Sequence, residues 1–268
     1  MNKLQRSARQ ASNSNTLAGL ARFGLAARGI VYLFIGWIAV QIALGHRTQE
    51  ANQRGALAEV AHRPFGKVLL WILGLGFAAY ALWRLSEAAF GTAAEGRKAG
   101  PRLQSVVRGI VYAAFAVTTF KFIAGSSQSQ AGQQATETAR VMKHTAGRWL
   151  VGLVGVIVIV VGLVMVADGL RRKFEKELRL NELRGTTRTV LVRLGMVGTI
   201  ARGLVFAVAG GLVVEAAVRY QPAKSTGLDG ALRTLAHQPY GPWLLGVLAL
   251  GLIAFGVYGL ATARYART

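Results

Sequence analysis

The chain has 268 residues, 53% of them hydrophobic and 16% charged, with a mean hydropathy of +0.38. Lys and Arg number 32 against 11 Asp and Glu, and there is no cysteine. A soluble domain carries about a quarter charged residues, so apolar bulk with this basic excess points to a membrane protein with basic loops. It argues against a nucleic-acid binder, whose charge would lie on a packed soluble domain. Without cysteine, disulfides, thiolate catalysis and Cys-based metal sites are excluded.

Residues 1–16 are rich in Ser, Asn and Gln and read as a disordered cytoplasmic tail. A first apolar span covers 26–44. It follows Lys3, Arg6 and Arg9, and Ala43-Leu44-Gly45 offers small residues as a signal peptidase would require. Its opening phrase recurs later in the chain, where no signal peptide can lie, so the span is expected to be retained. Further spans follow at 68–89, 105–124, 149–167, 196–218 and 243–263. About 20 apolar residues suffice to cross the hydrocarbon core. The fourth and sixth spans carry no charge, whereas Lys121 and Glu215 interrupt the third and fifth.

Three phrases match: "AARGIVY" (26–32), "VVRGIVY" (106–112) and "IARGLVF" (200–206). Each places an aromatic four residues after the arginine. A second matched point follows as "HRPFGK" (62–67), "HTAGR" (144–148) and "HQPYGP" (237–242), preceded in two copies by "GALAEVA" (55–61) and "GALRTLA" (230–236). These short strings carry an apolar edge at i, i+3, i+4 and end at Pro64 and Pro239, which predicts a short interfacial helix in each. Two crossings per unit return the chain to its starting side. The expected fold is therefore all-α, with six transmembrane helices as three parallel two-helix repeats, pseudo-threefold about the membrane normal. The repeats are read as 17–91, 92–170 and 190–268. The segment 171–189 is read as a basic linker helix on the cytoplasmic side, extending the fourth span and supported by Glu175–Arg179 and Lys173–Glu177 spacings. The connections 45–67, 121–148 and 219–241 hold 11 basic residues and the opposite side holds the other 21. The positive-inside rule then puts both termini in the cytoplasm.

The Arg-Gly-aliphatic-aromatic opening and the "GAL…AHxP[FY]G" connection resemble a bacterial membrane family catalogued only as a domain of unknown function. Its members carry three tandem two-helix repeats. The resemblance runs from about Leu20 to Thr262; the second copy lacks the Pro-aromatic-Gly. It implies a six-span protein of the bacterial cytoplasmic (inner) membrane and brings no activity with it.

No nucleophile elbow, zinc-protease helix, phosphate loop or dinucleotide fingerprint is present. The expectation is a protein that is not an enzyme and takes no cofactor. It is read as a structural, accessory or lipid-interacting component whose partners are membrane lipids, through anionic headgroups, and a membrane protein partner, with no nucleic acid. The alternative is a small transporter or channel with an axial polar site. Four sets of residues carry these expectations. Arg28–Glu87 and Arg108–Asp168 are expected to pair across their hairpins. Arg202, whose repeat offers only Thr262 at the matching point, is a lipid-facing candidate, expected to snorkel to headgroups or to borrow another partner. Gln41, Lys121 and Glu215, each 13 residues after a repeat arginine, are expected to form an axial polar cluster. His62, His144 and His237 share a repeat position, and three imidazoles could in principle hold zinc.

Overall fold

The computed structural model describes residues 15–46, 49–90, 99–125, 129–177 and 185–265. Residues 1–14, which hold most of the tail read as disordered, lie outside that set. All regular structure among the described residues is helical. Six long helices are α1 (Asn15–Ala43), α3 (Gly66–Phe90), α4 (Ala99–Ile123), α6 (Thr145–Leu170), α7 (Thr186–Arg219) and α9 (Gly241–Tyr265). Each is long and apolar enough to cross a membrane. Three short helices, α2 (Gln53–Ala61), α5 (Gln130–Met142) and α8 (Gly227–Ala236), connect the two long helices of each repeat.

The punctuation is local chemistry. Gly45 and Gly125 follow α1 and α4 with positive φ of 79° and 90°, a conformation in which a side chain would be strained. Asn52 caps α2 by accepting the Gly55 N–H, and Ser129 caps α5 by accepting that of Gly132. After Pro64 and Pro239, Phe65 and Tyr240 adopt left-handed backbone at φ 61° and 59°, with their rings exposed. The expected extension of the fourth span does not form as one helix. The chain breaks after Leu170, with Arg172 left-handed at φ 53°, and resumes as a 3₁₀ turn over Lys173–Glu177. Of the linker 171–189, residues 178–184 lie outside the described set, and α7 has already begun at Thr186. At 1.5 Å per residue its 34 residues span about 50 Å, longer than the hydrocarbon core is thick.

The long helices pack side by side in the order α4–α3–α1–α9–α7–α6. This is the cyclic order of three consecutive hairpins, and it leaves one seam: α4 and α6, whose contact would close the ring, scarcely touch. The closest pairs join one repeat to the next: α6 with α7, α9 with α1, and α3 with α4. The glycine of each Arg-Gly phrase lies in these interfaces. A methyl group on Gly203 would meet the Gly162 carbonyl oxygen at 2.6 Å, and one on Gly109 would meet the Leu85 side chain at 2.8 Å. Small residues let helix backbones approach where lipid supplies no hydrophobic drive for association. The core they surround includes Ile38, Leu57, Phe77, Tyr80, Leu245 and Leu252, all essentially inaccessible.

Candidate functional site: a central cavity open along one seam

The short helices lie on the bundle. Leu57 and Val60 of α2 and Ala231 and Leu232 of α8 are buried at 0–1% exposure, so their apolar edges face protein and not lipid as expected. Polar contacts then tie the three repeats to one another in pairs. The Ala51 N–H donates to Asp229 Oδ1 at 2.7 Å, joining the first repeat to the third. Glu50 accepts from the Ser129 hydroxyl and from the Gln130 N–H at 3.1 Å, joining the first to the second. The Thr138 hydroxyl donates to Ser225 Oγ at 2.9 Å, joining the second to the third. Gln53 Nε2 reaches down to the Phe115 carbonyl of α4 at 2.9 Å. The result is a polar lid over the end of the bundle. Burial pushes the Glu50 carboxyl up, but hydrogen bonds from Ser129, Asn52 and two backbone N–H groups outweigh it. They hold Glu50 below the usual glutamate range.

Under this lid lies a cavity of about 360 Å³. Its walls include Val31 of α1, Val111 of α4, Val158 of α6 and Val213 of α7. Its roof carries Asn52, Gln53, Gln130, Gln134, Ser225 and Thr226. Tyr32 and Phe206, the aromatics of the first and third repeat phrases, line it too. They stand one helical turn beyond Arg28 and Arg202. Among the described residues that line the cavity none is charged. Because α4 and α6 contribute wall residues without packing on each other, the cavity lies behind the open seam.

On the other side of Tyr32 and Phe206 are the repeat arginines. Arg202 does not face lipid. Its guanidinium lies over the rings of Phe255, Tyr32 and Phe206, 5.0, 5.2 and 5.2 Å from their centroids. Arg28 shares Phe255 at 5.3 Å. Flat, weakly hydrated guanidinium on aromatic faces is a low-cost way to hold a cation inside a bundle. Arg84 donates twice to the Tyr80 hydroxyl, at 3.0 and 2.8 Å, and lies over the Trp83 ring.

Neither expected hairpin ion pair forms. Glu87 pairs with Arg84, one turn back on its own helix, at 2.8 Å, and accepts from Ser105 at 3.3 Å. Asp168 has Lys173 Nζ 2.7 Å from Oδ1, a contact of charges more than a directed hydrogen bond. The reasons differ: Arg84 is the nearer cation for Glu87, while Arg108 and Asp168 stand on the two helices that the seam separates. The axial cluster does not assemble either. Glu215 is held by Lys224 at 2.5 Å and Arg219 at 3.0 Å, Lys121 is exposed, and Gln41 is half-buried. His62, His144 and His237 are exposed at the ends of three different helices, and His237 Nδ1 lies 2.7 Å from the Arg233 carbonyl. Among the described residues no group of three His, Cys, Asp or Glu side chains could hold a metal.

Comparison with known proteins agrees with the repeat. The family model described as Domain of Unknown Function (DUF1206) matches three tandem regions, 23–91, 103–172 and 197–266. The chain is 31% identical over 247 residues to a protein named Uncharacterized protein YxxB from Bacillus subtilis (strain 168), covering 91% of this chain and 89% of that one. No solved structure matches.

Proposed function

Since the chain belongs to the DUF1206 family, three tandem copies of a domain of unknown function, we propose that it is a non-catalytic, lipid-interacting component of the bacterial cytoplasmic membrane. The observation that carries this reading is the cavity behind the α4/α6 seam. It sits beneath the polar short helices, walled by valines and bordered by helices whose outer faces are strongly apolar. In the most apolar stretch of the fourth span, with a mean hydropathy of 3.1, 17% of the residues are buried. A lipid chain can enter such a space sideways, with no aqueous step. The basic excess outside 45–67, 121–148 and 219–241 supports cytoplasmic termini and attraction of that face to anionic headgroups. The transporter reading rested on Gln41, Lys121 and Glu215, and with Glu215 engaged by Lys224 and Arg219 that support falls away.

The test is mass spectrometry of the intact protein, purified from its membrane in a mild detergent. A stoichiometric lipid surviving gentle activation is expected. Protein that emerges lipid-free from several mild detergents, with unchanged thermal stability on adding lipid back, would overturn the reading.

A further inference from the structure

Taking the cavity as a lipid site, we infer that its occupant is an uncharged lipid, bearing hydroxyl or carbonyl oxygens on a long apolar chain, drawn from the leaflet on the side of α2, α5 and α8. Three features lead there. The first is size. A space of about 360 Å³, within the range of ligand pockets, can admit one lipid chain while the rest of the molecule stays in the bilayer beyond the seam.

The second is polarity. The cavity is polar only at its roof, and the polarity there is amide and hydroxyl: Gln53, Gln130, Gln134, Ser225 and Thr226. A phosphate placed among them would lose its hydration without a Lys or Arg to replace it, a cost of several kcal/mol. The charged groups nearby are already engaged, Glu50 with Ser129 and Gln130, and Lys224 with Glu215. Amide and hydroxyl groups suit ester, hydroxyl or quinone oxygens, which form one or two neutral hydrogen bonds and cost little to desolvate.

The third is orientation. The polar roof and the apolar walls are stacked along the bundle in the sense a lipid of that leaflet presents them, head at the short helices and chain toward mid-bilayer. The Arg202 guanidinium lies at the far end, packed on the rings of Tyr32, Phe206 and Phe255, with Arg28 on the same Phe255 ring. A headgroup seated there instead would have to displace those rings.

Two sources fit this chemistry, a diacylglycerol and an isoprenoid quinone. The experiment separates them from each other and from a charged lipid. Delipidated protein is titrated with detergent micelles containing diacylglycerol, an isoprenoid quinone or phosphatidylglycerol, and bound lipid is counted by mass spectrometry. The chain has no cysteine, so Val158→Cys supplies a single thiol inside the cavity whose reaction with an uncharged maleimide reports occupancy. At least about a tenfold preference for one of the two uncharged lipids over phosphatidylglycerol is expected, with matching protection of the V158C thiol. Val111→Trp, filling the space, should abolish both. Val164→Trp, at an exposed site on α6 that does not line the cavity, should leave both unchanged and serves as the control for folding. Equal or stronger binding of phosphatidylglycerol, or uncharged lipid that binds without protecting position 158, overturns this inference while leaving the protein lipid-binding. Retention of no lipid of any class overturns the broader reading as well.

Discussion

Gly29 and Gly256 cross back to back: a methyl group on Gly29 would lie 2.8 Å from the Gly256 carbonyl oxygen, and one on Gly256 would lie 2.9 Å from that of Gly29. The opposing atoms are backbone, so no side chain can swing aside. Gly29→Ala is therefore expected to cost about 1–3 kcal/mol, the usual cost of overpacking. Gly246→Ala on the same α9, where an added methyl meets nothing within 4 Å, should be neutral or slightly stabilising. Thermal unfolding in one detergent compares the two, and equal midpoints would show that the crossing is looser than described.

Arg202 offers a second test, because a cation held on three rings behaves differently from one reaching for headgroups. Arg202→Lys keeps the charge and loses the flat guanidinium spread over Phe255, Tyr32 and Phe206. A loss of about 1–2 kcal/mol is expected. A lysine variant as stable as the parent would return Arg202 to the lipid.

Asp229 is 5% exposed and serves two partners, the Ala51 N–H and Arg233. Asp229→Ala leaves a buried N–H with no acceptor and should cost about 2–3 kcal/mol. Asp229→Asn can still accept from Ala51 and gives up only an ion pair to a 40%-exposed arginine, so it should recover more than half of the loss. If asparagine and alanine are equally damaging, the ion pair and not the backbone contact joins the first repeat to the third.

Glu50 predicts a pH dependence. Its carboxyl is held below the usual glutamate range in the folded protein. A depressed carboxylate contributes stability that is fully present above its unfolded pKa and is lost as pH falls through the folded one. The lid should therefore loosen on acidification below about pH 4, and Glu50→Gln should flatten that part of the profile while lowering stability at neutral pH. Hydrogen exchange of α5 amides between pH 3 and 7 reads this directly. Identical profiles for parent and variant would remove Glu50 as the cause.

Much of the fold was legible because it repeats. Six apolar runs, three Arg-Gly phrases and the two "GAL" strings determine the helices, their order and the positions of α2 and α8. Helix α5 was missed because "QAGQQATETARVM" has no apolar edge, and only Met142 of it is buried. Ser129 as a cap, and the repeat position itself, were the available signals. The sequence does not show the geometry that separates Arg108 from Asp168. The helices of one hairpin are not each other's closest partners: the glycines make the closest pairs between repeats and leave α4 and α6 apart. The same local economy that gives Glu87 to Arg84 gives Glu215 to Arg219, a turn away on its own helix. Phe206, four residues after Arg202, was a sign in the sequence that the cation would find a ring. Phe255, which completes the cradle, comes from another helix and leaves no mark in the local pattern.

The pairing of α1 with α9 also has a consequence for how the protein is made. The first long helix to leave the ribosome finds its closest neighbour only when the last of the six has been synthesised, over 200 residues later. At 5–20 residues per second that is a wait of roughly ten seconds or more, during which the Gly29 face meets lipid or the insertion machinery. Assembly on that schedule is provisional until its final step. A ribosome stalled after the second repeat would leave in the membrane a product with four spans in place and its first helix still without α9.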